Sequence, residues 1–369
     1  MGPGTADDGT TGDGALGRPE LLAALREEDP ERQEALRRRA EAVRTACVGE
    51  AVHLRALIEV SNHCIRRCTY CGLRAPNRRL ARYRLSMNEV LDAARSAASL
   101  GLGTVVIQAG EDPALTERWV AELVRRLKGE TGLAVTLSLG ARTPAELRAW
   151  RRAGADRYLL RFETSNRALF RHVHPDAPGW GADRLDLLRV LRDLDYEVGS
   201  GVIVGLPGQT WNDLVTDLET FRRLDLDMIG VGPYLAHPDT PLGRSAGCAP
   251  PGTGQVPPSE TVTGRVVALT RLLCPRSNIP ATTAVETLAP GRGYECALSF
   301  GANVLMPCFT PATQAARYET YPGHNERLVS SAQAVADARR RIAALGRVVG
   351  TGDGMSPNVV RRRAVGGAA

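Results

Sequence analysis

Cys64, Cys68 and Cys71 lie close together in the segment Ser61–Arg74, SNHCIRRCTYCGLR. Their spacing is C-x3-C-x2-C. Three thiolates this near in sequence suit three irons of a cubane and leave one iron without a protein ligand, open to a chelating small molecule. A structural zinc site asks for four ligands in closed tetrahedral geometry, usually from paired C-x2-C units. His63, beside Cys64, is the neighbouring candidate for a fourth ligand. Purely structural cysteines are more often isolated and buried, as Cys274 and Cys296 are expected to be. The triplet therefore points to an iron–sulfur cluster.

The elements that must position this triplet are legible as an alternation. From about residue 52, short β-rich runs alternate with amphipathic helical stretches, the pattern of parallel strands joined by helical crossovers. Eight strands are expected near 54–60, 104–109, 134–139, 157–162, 198–204, 228–234, 279–284 and 302–306. Helices are expected between them, including 86–100, 114–128, 144–153, 183–194, 210–224 and 258–273. Eight such units fit a closed (β/α)8 barrel of the TIM type; a doubly wound open sheet is the alternative. The triplet directly follows the first strand, at its C-terminal end, which in a barrel is the active-site face.

Other strand ends carry polar groups. Gln108-Ala109-Gly110-Glu111 closes the second strand. Arg161 and Glu163, two apart at the end of the fourth, share one face. There they either pair with each other or hold a ligand, because a charged residue in a barrel mouth is costly alone. Gly205-Leu206-Pro207-Gly208 follows the fifth strand, as a tight turn or a backbone approach to a ligand. Thr282-Thr283-Ala284 ends the seventh, where the hydroxyls suit a carboxylate or are ordinary strand residues.

The chain has 369 residues, 43% of them hydrophobic, and a net charge of +6. The arginines are scattered, so nucleic acid is not an expected partner. Lys128 is the single lysine. No apolar run of about 18 residues is present and the N-terminus lacks a secretory pattern, so a cytoplasmic protein with no membrane partner is expected. Residues 1–14 read as a disordered tail, 15–50 as a helical extension, 51–346 as the barrel and 347–369 as a flexible tail. The Gly- and Pro-rich stretch 244–258 reads as a loop.

The triplet, with aromatic Tyr70 before its last cysteine, resembles the signature of the radical S-adenosylmethionine (SAM) superfamily. The longer segments YCGLR (70–74), GEDP (110–113), TLSLG (136–140), AGADRYLLR (153–161), GLPGQT (205–210), HPDTPL (237–242), SNIPATTA (277–284), GANV (301–304) and YPG (321–323) resemble the group that holds HydE, biotin synthase and methylornithine synthase. The resemblance implies a 4Fe–4S cluster on Cys64, Cys68 and Cys71, SAM chelated to its open iron, and reductive cleavage to a 5′-deoxyadenosyl radical. It places Tyr70, Gln108, Gly110, Glu111, Thr136, Ser138, Arg161, Glu163, Arg184 and Gly205 near SAM. It places Thr282, Thr283, Ala284, Met306, Tyr318 and Tyr321 at the substrate end of a closed cavity. A small-molecule substrate and a low-potential electron donor such as ferredoxin or flavodoxin are implied as partners.

Phe162, where HydE usually has His, and Pro307-Cys308-Phe309, where it usually has Pro-Asn-Trp, depart from the group's pattern. They point to a cavity altered from that of HydE and to a paralogue acting on a small amino acid or amino-acid-derived molecule, with the Thr282-Thr283 hydroxyls suited to its carboxylate. The alternatives are a carbon-skeleton rearrangement like that of methylornithine synthase and a non-catalytic SAM- or metal-binding barrel.

Overall fold

The computed structural model describes residues 16–175, 183–245, 254–324 and 329–366. Nine strands lie among them: β1 (Ala51–Leu54), β2 (Ala56–Ser61), β3 (Thr104–Ala109), β4 (Ala134–Ser138), β5 (Arg157–Leu159), β6 (Glu197–Val204), β7 (Met228–Pro233), β8 (Val304–Leu305) and β9 (Val348–Val349). Strands β2 to β7 form one parallel sheet in chain order. Helices Met87–Ser99, Glu117–Thr131, Pro144–Arg152, Arg184–Asp193 and Trp211–Arg223 connect successive strands, within a few residues of their expected bounds. Each begins at a Ser, Thr or Asp whose side chain accepts from the first turn, the stop-and-start chemistry that fixes these boundaries.

The ring closes through single parallel bridges. Met228 pairs with Asn278, Val231 with Ala281, Pro280 with Val304, and Cys308 with Leu57 of β2. Backbone bonds follow the same path: Ile229 N–H donates to Asn278 O, Ala281 N–H to Val304 O and Leu57 N–H to Pro307 O, each at 2.9 Å. The expected seventh strand is thus a thin one. Pro280 brings no N–H to the ladder, and the chain turns into helix Thr283–Leu288 where strand was expected to run on. The expected fourth strand is also short, regular only over Arg157–Leu159, with one further bridge from Glu163, at φ +62°, to Val202 of β6.

Alternation along the strands sorts the side chains. Ala56, Ile58, Val60, Val105, Ile107, Val135 and Leu137 join the main apolar core against the helices. Leu57, Glu59, Thr104, Val106, Gln108, Thr136 and Ser138 take the opposite, inner face. Registration sets Glu59 beside Gln108 and Gln108 beside Ser138, a polar tier near the C-terminal ends of the strands.

The N-terminal extension is two helices, Arg18–Arg26 and Pro30–Val48, broken where Asp29 caps the second and Pro30 starts it. Leu21 and Leu25 join the main core. Residues 1–14 lie outside the described residues.

The C-terminus differs from the expected flexible tail. After β9 the chain runs beneath the barrel, and Ser356 and Asn358 are buried. Buried Arg157 donates to Glu197 at 2.7 Å, to Thr104 Oγ1 at 3.0 Å and to the Asp353 carbonyl at 3.0 Å. Arg55 and Asn278 donate to the Gly354 carbonyl at 3.0 and 2.9 Å. Residues 352–358 therefore complete the floor of the barrel, and helix Pro357–Gly366 follows. The charged residues at the floor need these carbonyls, because a buried guanidinium without acceptors is expensive. No helix among the described residues is long and apolar enough to cross a membrane.

Candidate active site

The cysteine loop leaves the C-terminal end of β2 and is pinned from several sides. Ile65 N–H donates to Glu111 O at 3.0 Å, Thr69 N–H to Val173 O at 2.8 Å, and Gly72 N–H to Thr320 O at 2.9 Å. Asn62 Nδ2 donates to the carbonyls of Ala81 and Arg317 at 2.9 and 2.8 Å. Two glycines make this packing possible. A Cβ on Gly110 would lie 2.3 Å from His63 O and 2.7 Å from Cys64 Cβ, and one on Gly72 would lie 2.2 Å from Glu319 O.

Cys64, Cys68 and Cys71 are free thiols. They share one electrostatic neighbourhood. Burial pushes the Cys68 thiol well up, with Cys71 and Cys64 adding to the rise, and burial followed by Cys64 pushes Cys71 up to about 12. The Arg66 N–H points at Cys64 Sγ at 3.4 Å. Among the described residues no three His, Cys, Asp or Glu side chains are gathered as for one metal ion. Thiolates on a cubane each bind a different iron and so stand wider apart than ligands of a single ion. Three neighbouring free thiols, a backbone donor at one sulfur and a glycine-cleared bed fit a cluster at this loop.

Beside the loop lies a buried charge network. The two Glu111 oxygens pair with different arginines: Arg66 holds one, and Arg184 Nη2 holds the other at 3.0 Å. Arg184 also donates to the Arg161 carbonyl at 2.6 Å and meets His174 Nε2 at 2.7 Å. Burial, then the nearby Arg184, push His174 down to about 2, so the ring is neutral and its Nε2 accepts. Sequence reasoning had no signal for Arg66 or His174 beyond their nearness to the motif residues.

Arg161 and Glu163 pair with each other at 2.9 Å, and Arg161 Nη2 donates to Val202 O at 2.6 Å. Gly205, at φ +84°, faces Pro258, whose Cα would lie 2.5 Å from a Cβ added at this position; that contact alone accounts for glycine there. Thr136 Oγ1, on the inner face of β4, is buried without a hydrogen-bond partner. Tyr70 packs on a second apolar cluster of Leu169, Val173, Ile203, Leu206, Tyr234 and Leu242. Ile203 and Tyr234 escaped sequence reasoning because apolar residues in and just after a strand look like core.

The expected substrate residues gather over the opposite wall. Gln108 Nε2 donates to Tyr318 Oη at 3.3 Å. Thr282 Oγ1 donates to Val231 O at 3.1 Å, and Thr283 lies beside the phenols of Tyr294 and Tyr321. Ala284 is buried near Gly232, while Met306 follows β8 and is half-buried. The structure adds Glu59 and His324 to this group. Glu59 is wholly buried, and its Oε1 lies 2.7 Å from His324 Nε2. The His324 ring sits 4.8 Å from that of Tyr321. A carboxylate inside the apolar run LRALIEV was the available signal for Glu59.

A parallel barrel with three free thiols on the loop after its first strand, and polar side chains on its inner wall, is the setting of a cluster-dependent enzyme. A family model described as the radical SAM superfamily matches residues 58–221. The chain belongs to the radical SAM superfamily. It is 45% identical over 306 residues to the [FeFe] hydrogenase maturase subunit HydE of Thermotoga maritima, covering 83% of this chain and 84% of that one. It is 28% identical over 310 residues to the 3-methylornithine synthase of Methanosarcina acetivorans, covering 82% and 83%. The crystal structure of methylornithine synthase (PylB) superposes with a TM-score of 0.77 at 26% identity, over 95% of this chain and 96% of that chain.

Proposed function

We propose that this radical SAM enzyme holds a 4Fe–4S cluster on Cys64, Cys68 and Cys71 and acts, as a HydE-like enzyme, on a small carboxylate-bearing substrate inside the barrel. When bound, the cluster and SAM supply a low-potential electron and a 5′-deoxyadenosyl radical. The chain's own residues bind, orient and shield. The observation that carries the reading is the juxtaposition of the free-thiol loop with the inner polar wall, in a chain 45% identical to HydE.

Around the cysteine loop, the Glu111–Arg184–Arg66 network fixes the bed on which SAM would lie. The unpartnered Thr136 hydroxyl and the Arg161 guanidinium are the inner-face groups available to its polar end. Tyr70 with Ile203, Leu206 and Tyr234 offers an apolar shelf suited to a flat purine. At the far wall, Thr283 and Tyr321 offer hydroxyl donors to a carboxylate, Thr282 gives its proton to the Val231 carbonyl until a ligand replaces that acceptor, and Gly230 and Gly232 leave space on β7. The barrel wall and the completed floor exclude water, which a reactive radical requires.

Anaerobic reconstitution should give about one cubane per chain by the ligand count, and SAM should be cleaved to 5′-deoxyadenosine under reduction. Stoichiometric zinc with no visible chromophore would overturn the reading. Thr282→Val with Thr283→Val should abolish substrate turnover while uncoupled SAM cleavage persists. A second reading, skeleton rearrangement of an amino acid, is favoured by the close superposition on methylornithine synthase. Incubation with candidate amino acids under reduction separates the two, since a rearrangement yields an isomer of its substrate.

A further inference from the structure

The outer side of the cysteine loop carries a run of arginines. Arg67 lies next to Cys68 and is exposed, as are Arg78 and Arg79. Arg74 Nη2 donates to the Arg67 carbonyl at 3.2 Å, while its Nε is buried without a partner. The bond from Leu242 N–H to Thr69 O, at 3.0 Å, brings helix Pro241–Ser245 and its exposed Arg244 against the loop. The Thr69–Val173 bond does the same for helix Arg167–Val173 and its exposed Arg171.

Several arginines on the outer helices are neutralised by a neighbouring acid. Arg37 pairs with Glu34, Arg126 with Glu130, Arg189 with Asp186 and Arg340 with Asp337. On the rim, Arg79 pairs with Asp239 at 3.0 Å, but Arg67, Arg74, Arg78 and Arg171 form no ion pair among the described residues. The positive charges also feel one another: after burial, Arg244 and Arg67 press the Arg74 pKa down. Crowded like charges are unfavourable and invite an anionic surface to cover them.

We propose that this arginine rim is the docking surface for a small acidic one-electron donor protein. The inference rests on the radical SAM reading, which requires an electron to reach the cysteine loop. Docking here puts the donor's redox group over exposed Arg67, the chain neighbour of Cys68. One electron leaves the donor's reduced flavin or iron–sulfur centre and enters the cluster; no bond forms or breaks.

The test uses the reconstituted, cluster-loaded full chain and a bacterial flavodoxin as donor, with anaerobic stopped-flow bleaching of the cluster as readout. In Arg67→Glu/Arg78→Glu, reduction by flavodoxin should slow roughly tenfold or more at low salt and lose most of its salt dependence. Reduction by photoreduced deazaflavin, which needs no docking surface, should stay at the wild-type rate. Arg148→Glu/Arg340→Glu, the same charge change on outer helices, should behave as wild type. The proposal is overturned if the rim variant accepts electrons from flavodoxin normally, if deazaflavin reduction falls equally, or if the wild-type rate ignores salt. A wild-type chain that takes up no cluster would overturn the parent reading instead.

Discussion

Arg184 and Glu111 meet at 3.0 Å at the barrel mouth, one at the start of a helix and the other just after β3. Both are largely buried, so each depends on the other for its charge to be tolerated. Arg184→Ala should destabilise the fold by about 3 kcal/mol, the low end for breaking a buried pair, because Arg66 still holds the other Glu111 oxygen. SAM affinity, followed by equilibrium dialysis, should fall in parallel. Arg184→Lys should not restore it, since one ammonium cannot serve the Glu111, Arg161 and His174 acceptors in the fixed plane of a guanidinium.

Gly110→Ala tests why glycine stands there. The added methyl would press on His63 O and Cys64 Cβ, which the loop can relieve only by moving. Iron content after reconstitution should drop, with a stability cost of about 1–3 kcal/mol from overpacking. Full cluster occupancy with only weakened SAM binding would show that the residue serves the ligand directly.

Deleting residues 350–369 should be costly. Arg157 and Arg55 would lose the Asp353 and Gly354 carbonyls, each buried donor left short costing about 1–3 kcal/mol. A fall in thermal midpoint of several degrees, or loss of soluble expression, is expected. Deleting residues 1–14 is the matched control and should leave the midpoint unchanged.

Asp217 gives a pH signature. Burial raises its pKa from 3.8 to about 7, against hydrogen bonds from Ser165 and Gln209 that lower it. The folded state therefore holds the proton more tightly than the unfolded chain. This contribution is fully present below pH 3.8 and is lost as pH rises toward about 7. Asp217→Asn should flatten the stability profile across that window, measured by urea denaturation at a series of pH values. An unchanged slope would assign the pH dependence to other groups.

Much of this architecture was legible from residue order. Strong alternation and capping residues located β3, β4, β6 and β7 and the helices between them, and the cysteine spacing pointed to the loop after β2 as the candidate site. The failures have physical causes. Pro280 thins a ladder that apolar content alone would extend. The floor was missed because it is built from backbone carbonyls of Asp353 and Gly354, which leave no trace in side-chain pattern. The Glu59–His324 contact joins residues far apart in the chain, and no local period announces it.

The floor at residues 352–358 also turns the barrel from a tunnel into a well. On the proposed function, a molecule bound at the inner wall enters past the cysteine loop and leaves the same way. Traffic in a well is last in, first out. If SAM rests near the rim and the substrate below it, the substrate has to arrive first, and the spent upper ligand has to depart before the product can follow. Binding order would then be imposed by the blind end of the barrel, contributed by the last residues of the chain.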